Sequence, residues 1–135
     1  KLKMMAEELG VADRVVFTGA VEYAGLSRYI SAMDIGLNPL KKMKKNEMTI
    51  GGKVFNYLSC GRPVLSSRMI ALERFFGDEM DYYDDEDSFV QQVESILDRL
   101  RRGQVSAERN RSIAERYDWR SLAGKYEAAI KRAID

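Results

Sequence analysis

The chain has 135 residues, 45% apolar and 32% charged, which suffices for one buried core under a polar surface and excludes wholesale disorder. Twenty-two basic against twenty-one acidic residues leave a net charge of +1, so no global electrostatic drive toward nucleic acid exists. One cysteine, Cys60, excludes an internal disulfide, and the lack of histidine excludes Ser–His and Cys–His nucleophile systems and the commonest zinc ligand.

Leu2, Met5 and Leu9 share one helical face, and Gly10 follows as a stop signal, so the chain is expected to open with a helix. Val15-Val16-Phe17 is a short apolar run closed by Thr18-Gly19 and reads as a buried strand. Tyr23 to Met33 reads as a helix with Leu26, Tyr29, Ile30 and Met33 on its inner side. Ile35-Gly36-Leu37, stopped by Asn38-Pro39, reads as a second strand. Leu40 to Ile50 is polar, lysine-rich and unperiodic, and reads as a loop. A helix from about Lys53 to Cys60 follows Gly51-Gly52 and is closed by Gly61, and Val64-Leu65-Ser66 reads as a third strand. A short helix over Ala71 to Phe76 stops at Gly77, and Asp81-Tyr82-Tyr83 reads as a short fourth strand. Ser88 is the expected cap of an amphipathic helix carrying Phe89, Val93, Ile96, Leu97 and Leu100. Ser106 to Arg116 reads as another helix. Asp118 caps the last, whose expected buried stripe is Trp119, Leu122, Tyr126, Ile130 and Ile134.

Short apolar strands alternating with helices predict an α/β fold: a Rossmann-like, doubly wound parallel sheet with helices on both faces and helices at the C-terminal end. In such sheets ligands bind at the carboxyl ends of the strands. That edge would gather Thr18 to Val21, Asn38-Pro39, Ser66-Ser67 and the glycine-rich start of the helix at Gly51-Gly52-Lys53. First-turn amides of a helix lack internal partners and favour an anion, glycines let it approach, and Lys53 carries an ammonium, so a phosphate is the guest that this chemistry suits. The glycine spacing is that of neither a Walker A loop nor a dinucleotide fingerprint.

The stretch Gly51-Gly52-Lys53-Val54-Phe55-Asn56-Tyr57-Leu58-Ser59-Cys60-Gly61-Arg62-Pro63-Val64-Leu65 resembles the donor-site helix of the GT-B glycosyltransferases, specifically the large retaining group 1 family that uses nucleotide-diphospho-sugars. Leu58 to Leu65 carries the closest likeness. Asp13-Arg14-Val15-Val16-Phe17-Thr18-Gly19, Ser31 through Pro39, and Ala114-Glu115-Arg116-Tyr117-Asp118-Trp119 resemble other signatures of the family, in the same order along the chain. The resemblance implies that residues 1–135 are the later portion of a C-terminal donor-binding domain. An acceptor-binding N-terminal domain and the first strands would then lie upstream, and this portion alone would be inactive.

The resemblance also implies roles. Amides of Gly19, Ala20 and Val21 would face the nucleobase. Backbone amides of Ile50, Gly51 and Gly52 would face the sugar or β-phosphate, and those of Val54 and Phe55 the α-phosphate. The family's glutamate pair falls at Met48 and Asn56 in this sequence. Asn56 would accept from the ribose hydroxyls without the charge of a carboxylate, a weaker hold. Glu47, one residue before Met48, would touch the sugar. No metal and no cofactor is implied beyond the nucleotide-diphospho-sugar donor, and no catalytic residue is assigned. The implied acceptor is lipid-linked or a polysaccharide, the implied location the cytoplasm or the membrane periphery. Two alternatives are a nucleotide-sugar epimerase of the same architecture, disfavoured by the missing histidine, and a non-catalytic Rossmann-like interaction or regulatory domain.

The basic run Lys41-Lys42-Met43-Lys44-Lys45 and the acidic run Asp84-Asp85-Glu86-Asp87 read first as solvated surface. Cys60, beside a helix C-terminus, reads as unreactive.

Overall fold

The structure is a computed structural model that describes residues 1–134. Three short parallel strands form the sheet: β1 (Gly36–Asn38), β2 (Val64–Ser67) and β3 (Asp81–Tyr83), in the order β1-β2-β3. Gly36 pairs with Val64, and Ser66 with Tyr82. Each crossover carries a helix, as parallel pairing demands. The helices are α1 (Leu2–Glu8), α2 (Tyr23–Ser31), α3 (Lys44–Glu47), α4 (Gly52–Ser59), α5 (Ile70–Phe76), α6 (Glu86–Arg101), α7 (Ala107–Glu115) and α8 (Trp119–Ile134). The expected α/β architecture is present, with α4, α5 and α7 against one face of the sheet and α6 against the other.

The core lies on the first face. Val54 and Leu58 of α4 meet Val64 of β2, Leu72 and Phe76 of α5, Tyr82 of β3 and Ile113 of α7. Two glycines permit this packing. A Cβ on Gly36 would sit 2.3 Å from Cγ of Tyr57, so α4 can approach β1 only over a bare backbone. Gly61 ends α4 at φ +76 in a Schellman arrangement: its amide donates to Leu58 O (2.8 Å) and the Arg62 amide to Tyr57 O (3.0 Å). The same glycine lies against Ala107, and Asn110 Nδ2 donates to Gly61 O at 3.2 Å, so the end of α4 is bound to α7.

Five expectations require correction. Val15-Val16-Phe17 is not a sheet strand. It is extended, but among the described residues no strand lies beside it, and Val16 is 84% exposed. A strand exists only through its backbone partners, which a run of apolar letters does not supply. The stretch from Leu40 to Ile50 contains the single-turn helix α3, held by polar contacts that leave no apolar rhythm: Asn46 Nδ2 donates to Lys41 O (2.7 Å) and Thr49 Oγ1 to Lys45 O (2.6 Å). Helix α6 is capped by Asp85, not Ser88. Ser88 is the third helical residue and closes a reciprocal capping box. The inner side of α2 narrows to Leu26 and Ile30, with Tyr29 and Met33 exposed. The apolar faces of the two end helices are not buried: Leu2, Met5 and Leu9 are exposed, and α8 contains no buried residue.

Candidate functional site

The carboxyl ends of the strands carry polar side chains that mostly satisfy one another. Asn38 Nδ2 donates to Ser66 Oγ (3.0 Å), Ser66 Oγ donates to Asn38 O (3.1 Å), and the Leu40 amide donates to Ser67 Oγ (2.9 Å). All three polar side chains are buried, so this seam fixes the chain leaving β1 onto β2. Just outside it runs an ion chain. Asp84 accepts from Lys42 (3.2 Å) and Arg68 (2.9 Å), and Arg68 also reaches Glu73 (2.6 Å). Hydrogen bonds from Arg68 and then Lys42 hold the Asp84 carboxyl below its ordinary value. Lys42 is therefore partly committed within the basic run, whereas Lys41, Lys44 and Lys45 make no ion pair among the described residues.

Helix α4 starts in the way that the glycine pair predicts. Gly51 is its N-cap in extended conformation (φ −78°, ψ 143°), and no side chain caps the helix. A Cβ on Gly51 or Gly52 would meet nothing within 4 Å, so the backbone there is open. The Val54 amide bends back to Gly51 O at 3.3 Å, while the Val54 side chain is fully buried. Lys53 is exposed beside this start.

One side of α4, Gly52, Phe55, Asn56 and Ser59, lines a cleft of about 680 Å³ whose far wall is Tyr117, Trp119 and Leu122. Asn56 and Ser59 also line a smaller cavity of about 300 Å³ against Tyr23, Leu26 and Ile30 of α2. Tyr23 borders both, so the two spaces meet where α2 begins. Gly19, Ala20 and Val21 form the loop that leads directly into this first turn, with Gly19 at φ +68. The cleft thus gathers Gly52, Phe55 and Asn56 from the predicted set, and α2 brings the segment after Gly19–Val21 beside them.

Glu47 is engaged elsewhere. Its Oε2 accepts from the Ile70 amide at 3.0 Å and caps the open start of α5, where a carboxylate complements the helix dipole. Ile50, half-buried, packs against the core. Tyr23, Ser59, Tyr117 and Trp119 border the cleft without having been singled out from the sequence as ligand contacts. For Tyr23 the signal existed, since it follows the Gly19–Val21 loop with only Glu22 between. Tyr117 packs on Phe75 (centroids 4.3 Å apart) and Phe55 (5.8 Å), a contact that no local pattern announces. Among the described residues no three His, Cys, Asp or Glu side chains cluster to hold a metal ion, and no helix is long and apolar enough to cross a membrane.

A family model described as glycosyl transferase-like matches residues 5–128. The chain is also similar to a protein of Bacillus subtilis (strain 168) that carries the provisional name teichuronic acid biosynthesis glycosyltransferase TuaH. The two are 25% identical over 119 residues, which cover 86% of this chain and 30% of that protein. The chain therefore spans just under a third of the length of this curated relative. No solved structure matches it.

Proposed function

Because this chain belongs to the glycosyl transferase-like family, whose model spans residues 5–128, we propose that it is the donor-binding part of a glycosyltransferase. The donor is a nucleotide-diphospho-sugar, and the sugar passes to the acceptor with retention, within a GT-B architecture. The observation that carries the reading is the uncapped, glycine-opened start of α4 beside the cleft that holds Asn56. The open amides of that start receive the diphosphate, with Lys53 adding a charge-assisted contact. Stabilising negative charge on the departing diphosphate is electrostatic catalysis and needs no protein nucleophile. Asn56 offers its amide oxygen to the ribose hydroxyls and its Nδ2 as a donor, a role that a carboxylate cannot fill in both directions. The loop Gly19–Val21 faces the base. Glu47 caps α5 through Oε2 and keeps Oε1 as an acceptor for the sugar. The acceptor, a lipid-linked or polymeric saccharide, binds on a further domain that completes the cleft, so this chain alone transfers no sugar.

An NMR titration of the labelled chain with UDP, GDP and their sugar conjugates tests the reading. Shifts should cluster at Gly19–Val21 and Gly51–Asn56, and the stronger ligand identifies the base. Shifts confined to other surfaces, or none at millimolar ligand, would reject donor binding by this chain.

A further inference from the structure

The segment from Leu40 to Ile50 joins β1 to the glycine start of α4, so its course decides where Gly51 and Gly52 lie. It carries one turn of helix, α3, and a helix of 4 residues does not hold together alone in water. Polar contacts attach the segment to other elements. The Leu40 amide donates to Ser67 Oγ (2.9 Å), Lys42 pairs with Asp84 (3.2 Å), and Glu47 accepts from the Ile70 amide (3.0 Å). The first two lie before α3. Glu47 ends α3 and stands shortly before Gly51, the N-cap of α4.

Among the described residues, no other side chain in this later half of the segment bonds to another element. Asn46 and Thr49 spend theirs inside the segment, on Lys41 O and Lys45 O, and Met48 is exposed. Ile50 packs on the core, but apolar contact is non-directional and holds the chain down without fixing its course. A hydrogen bond does fix it. Helix α5 depends on the same contact. Its N-cap residue, Met69, offers no capping oxygen, and Glu73, the acid of its first turn, is taken by Arg68 at 2.6 Å. The carboxylate that caps α5 therefore comes from 23 residues earlier in the chain, and Glu47 is half-buried in making the contact.

We infer that Glu47 is a positioning residue: by bridging α3 to α5 it sets the direction in which the chain enters Gly51, and with it the aim of the open amides of α4. The bridge exists whatever the ligand, and its consequence for a nucleotide rests on the donor-binding reading. This role differs from a contact between Oε1 and a sugar, because a ligand without a sugar feels it.

NMR of the labelled 135-residue chain, with amide hydrogen exchange read residue by residue, tests the bridge. Glu47→Ala should speed exchange at Ile70 by about tenfold, the size of a lost helix cap. It should also move the amide resonances of Gly51, Gly52 and Lys53. Glu47→Gln keeps an acceptor oxygen without the charge, so it should show both effects at a fraction of the size, and it carries the same test at a milder cost to folding. Faster exchange at Ile70 with Gly51–Lys53 unmoved would reduce Glu47 to a cap of α5 and overturn the inference. Unchanged exchange at Ile70 would overturn it by removing the bridge itself. Titration of the same proteins with UDP and GDP, which carry no sugar, separates this role from donor binding. If the unaltered chain binds either nucleotide, Glu47→Ala should weaken it by at least about threefold, since the amides are no longer held in place beforehand. Equal binding by both proteins overturns the inference. Moved resonances at Gly51–Lys53 in a chain that binds neither nucleotide would uphold the positioning role and reject donor binding.

Discussion

Helices α4 and α8 are both amphipathic, yet they end in opposite situations. Helix α4 has eight residues, buries Val54 and Leu58 completely, and touches both the sheet and α7. Helix α8 is twice as long and buries nothing. Periodicity is equally visible in the two sequences, so periodicity shows that a face seeks cover and not what covers it. What separates them is the punctuation around α4. Gly36 admits the Tyr57 ring against β1, and Gly61 turns the chain back while admitting Ala107 of α7. Nothing comparable surrounds α8.

The most severe way to break this comparison is to truncate one apolar residue in each helix. Leu58→Ala should cost about 2–5 kcal/mol, since Leu58 is fully buried and its removal leaves a cavity. Ile130→Ala should change the stability of the chain by less than about 0.5 kcal/mol. Urea midpoints of the two variants measure both. Similar losses would mean that α8 packs on the core in solution, contrary to its exposure here.

The legible part of the fold was where chain punctuation and burial agree. The run from Gly51 to Leu65 has its helix, its glycine stop and its strand in the expected places because each is set locally, by a bare helix start, a positive-φ glycine and a run of apolar residues. Val15-Val16-Phe17 failed because strand formation is non-local. The α6 cap was missed by one turn because Asp85 and Ser88 both carry capping side chains and exchange hydrogen bonds, so composition alone does not say which is the first. Within the candidate site, the open glycine start was legible for the same local reasons. The engagement of Glu47 with Ile70 was not, since it joins α3 to α5 across 23 residues of chain.

Gly61→Ala sharpens the role of punctuation. The added Cβ would lie 2.9 Å from the Ala107 Cβ and 3.2 Å from its carbonyl oxygen, on a residue held at φ +76. The left-handed backbone costs about 1–2 kcal/mol for a residue with a Cβ, and the crowding adds to it, so a loss of about 1–3 kcal/mol is expected in thermal or urea unfolding. Pairing it with Ala107→Gly, referred to the Ala107→Gly single variant, should recover the part due to the Ala107 Cβ and leave the contact with the Ala107 carbonyl and the backbone part. Full recovery would show that the conformation of Gly61 is not costly, and no recovery that the Ala107 Cβ does not crowd it.

The smallest expected effect concerns Tyr82, which holds the base of the same core. Burial, reinforced by the Glu73 carboxylate, pushes its phenol up to about 12. The hydroxyl donates to Leu72 O at 3.0 Å, tying β3 to α5. Between pH 10 and 12 the unfolded chain releases this proton while the folded one keeps it. The unfolded state then binds fewer protons, and stability falls as pH rises through that window. Tyr82→Phe should remove this part of the alkaline decline and cost about 1 kcal/mol at neutral pH, through the lost hydrogen bond to the Leu72 carbonyl. Urea unfolding at pH 7 and again near pH 11 measures both, because the difference between the two proteins should shrink at the higher pH. A constant difference would mean that Tyr82 titrates alike folded and unfolded, and that the floor of the α4 core is wetter than the packing of Tyr82 against Leu72 implies.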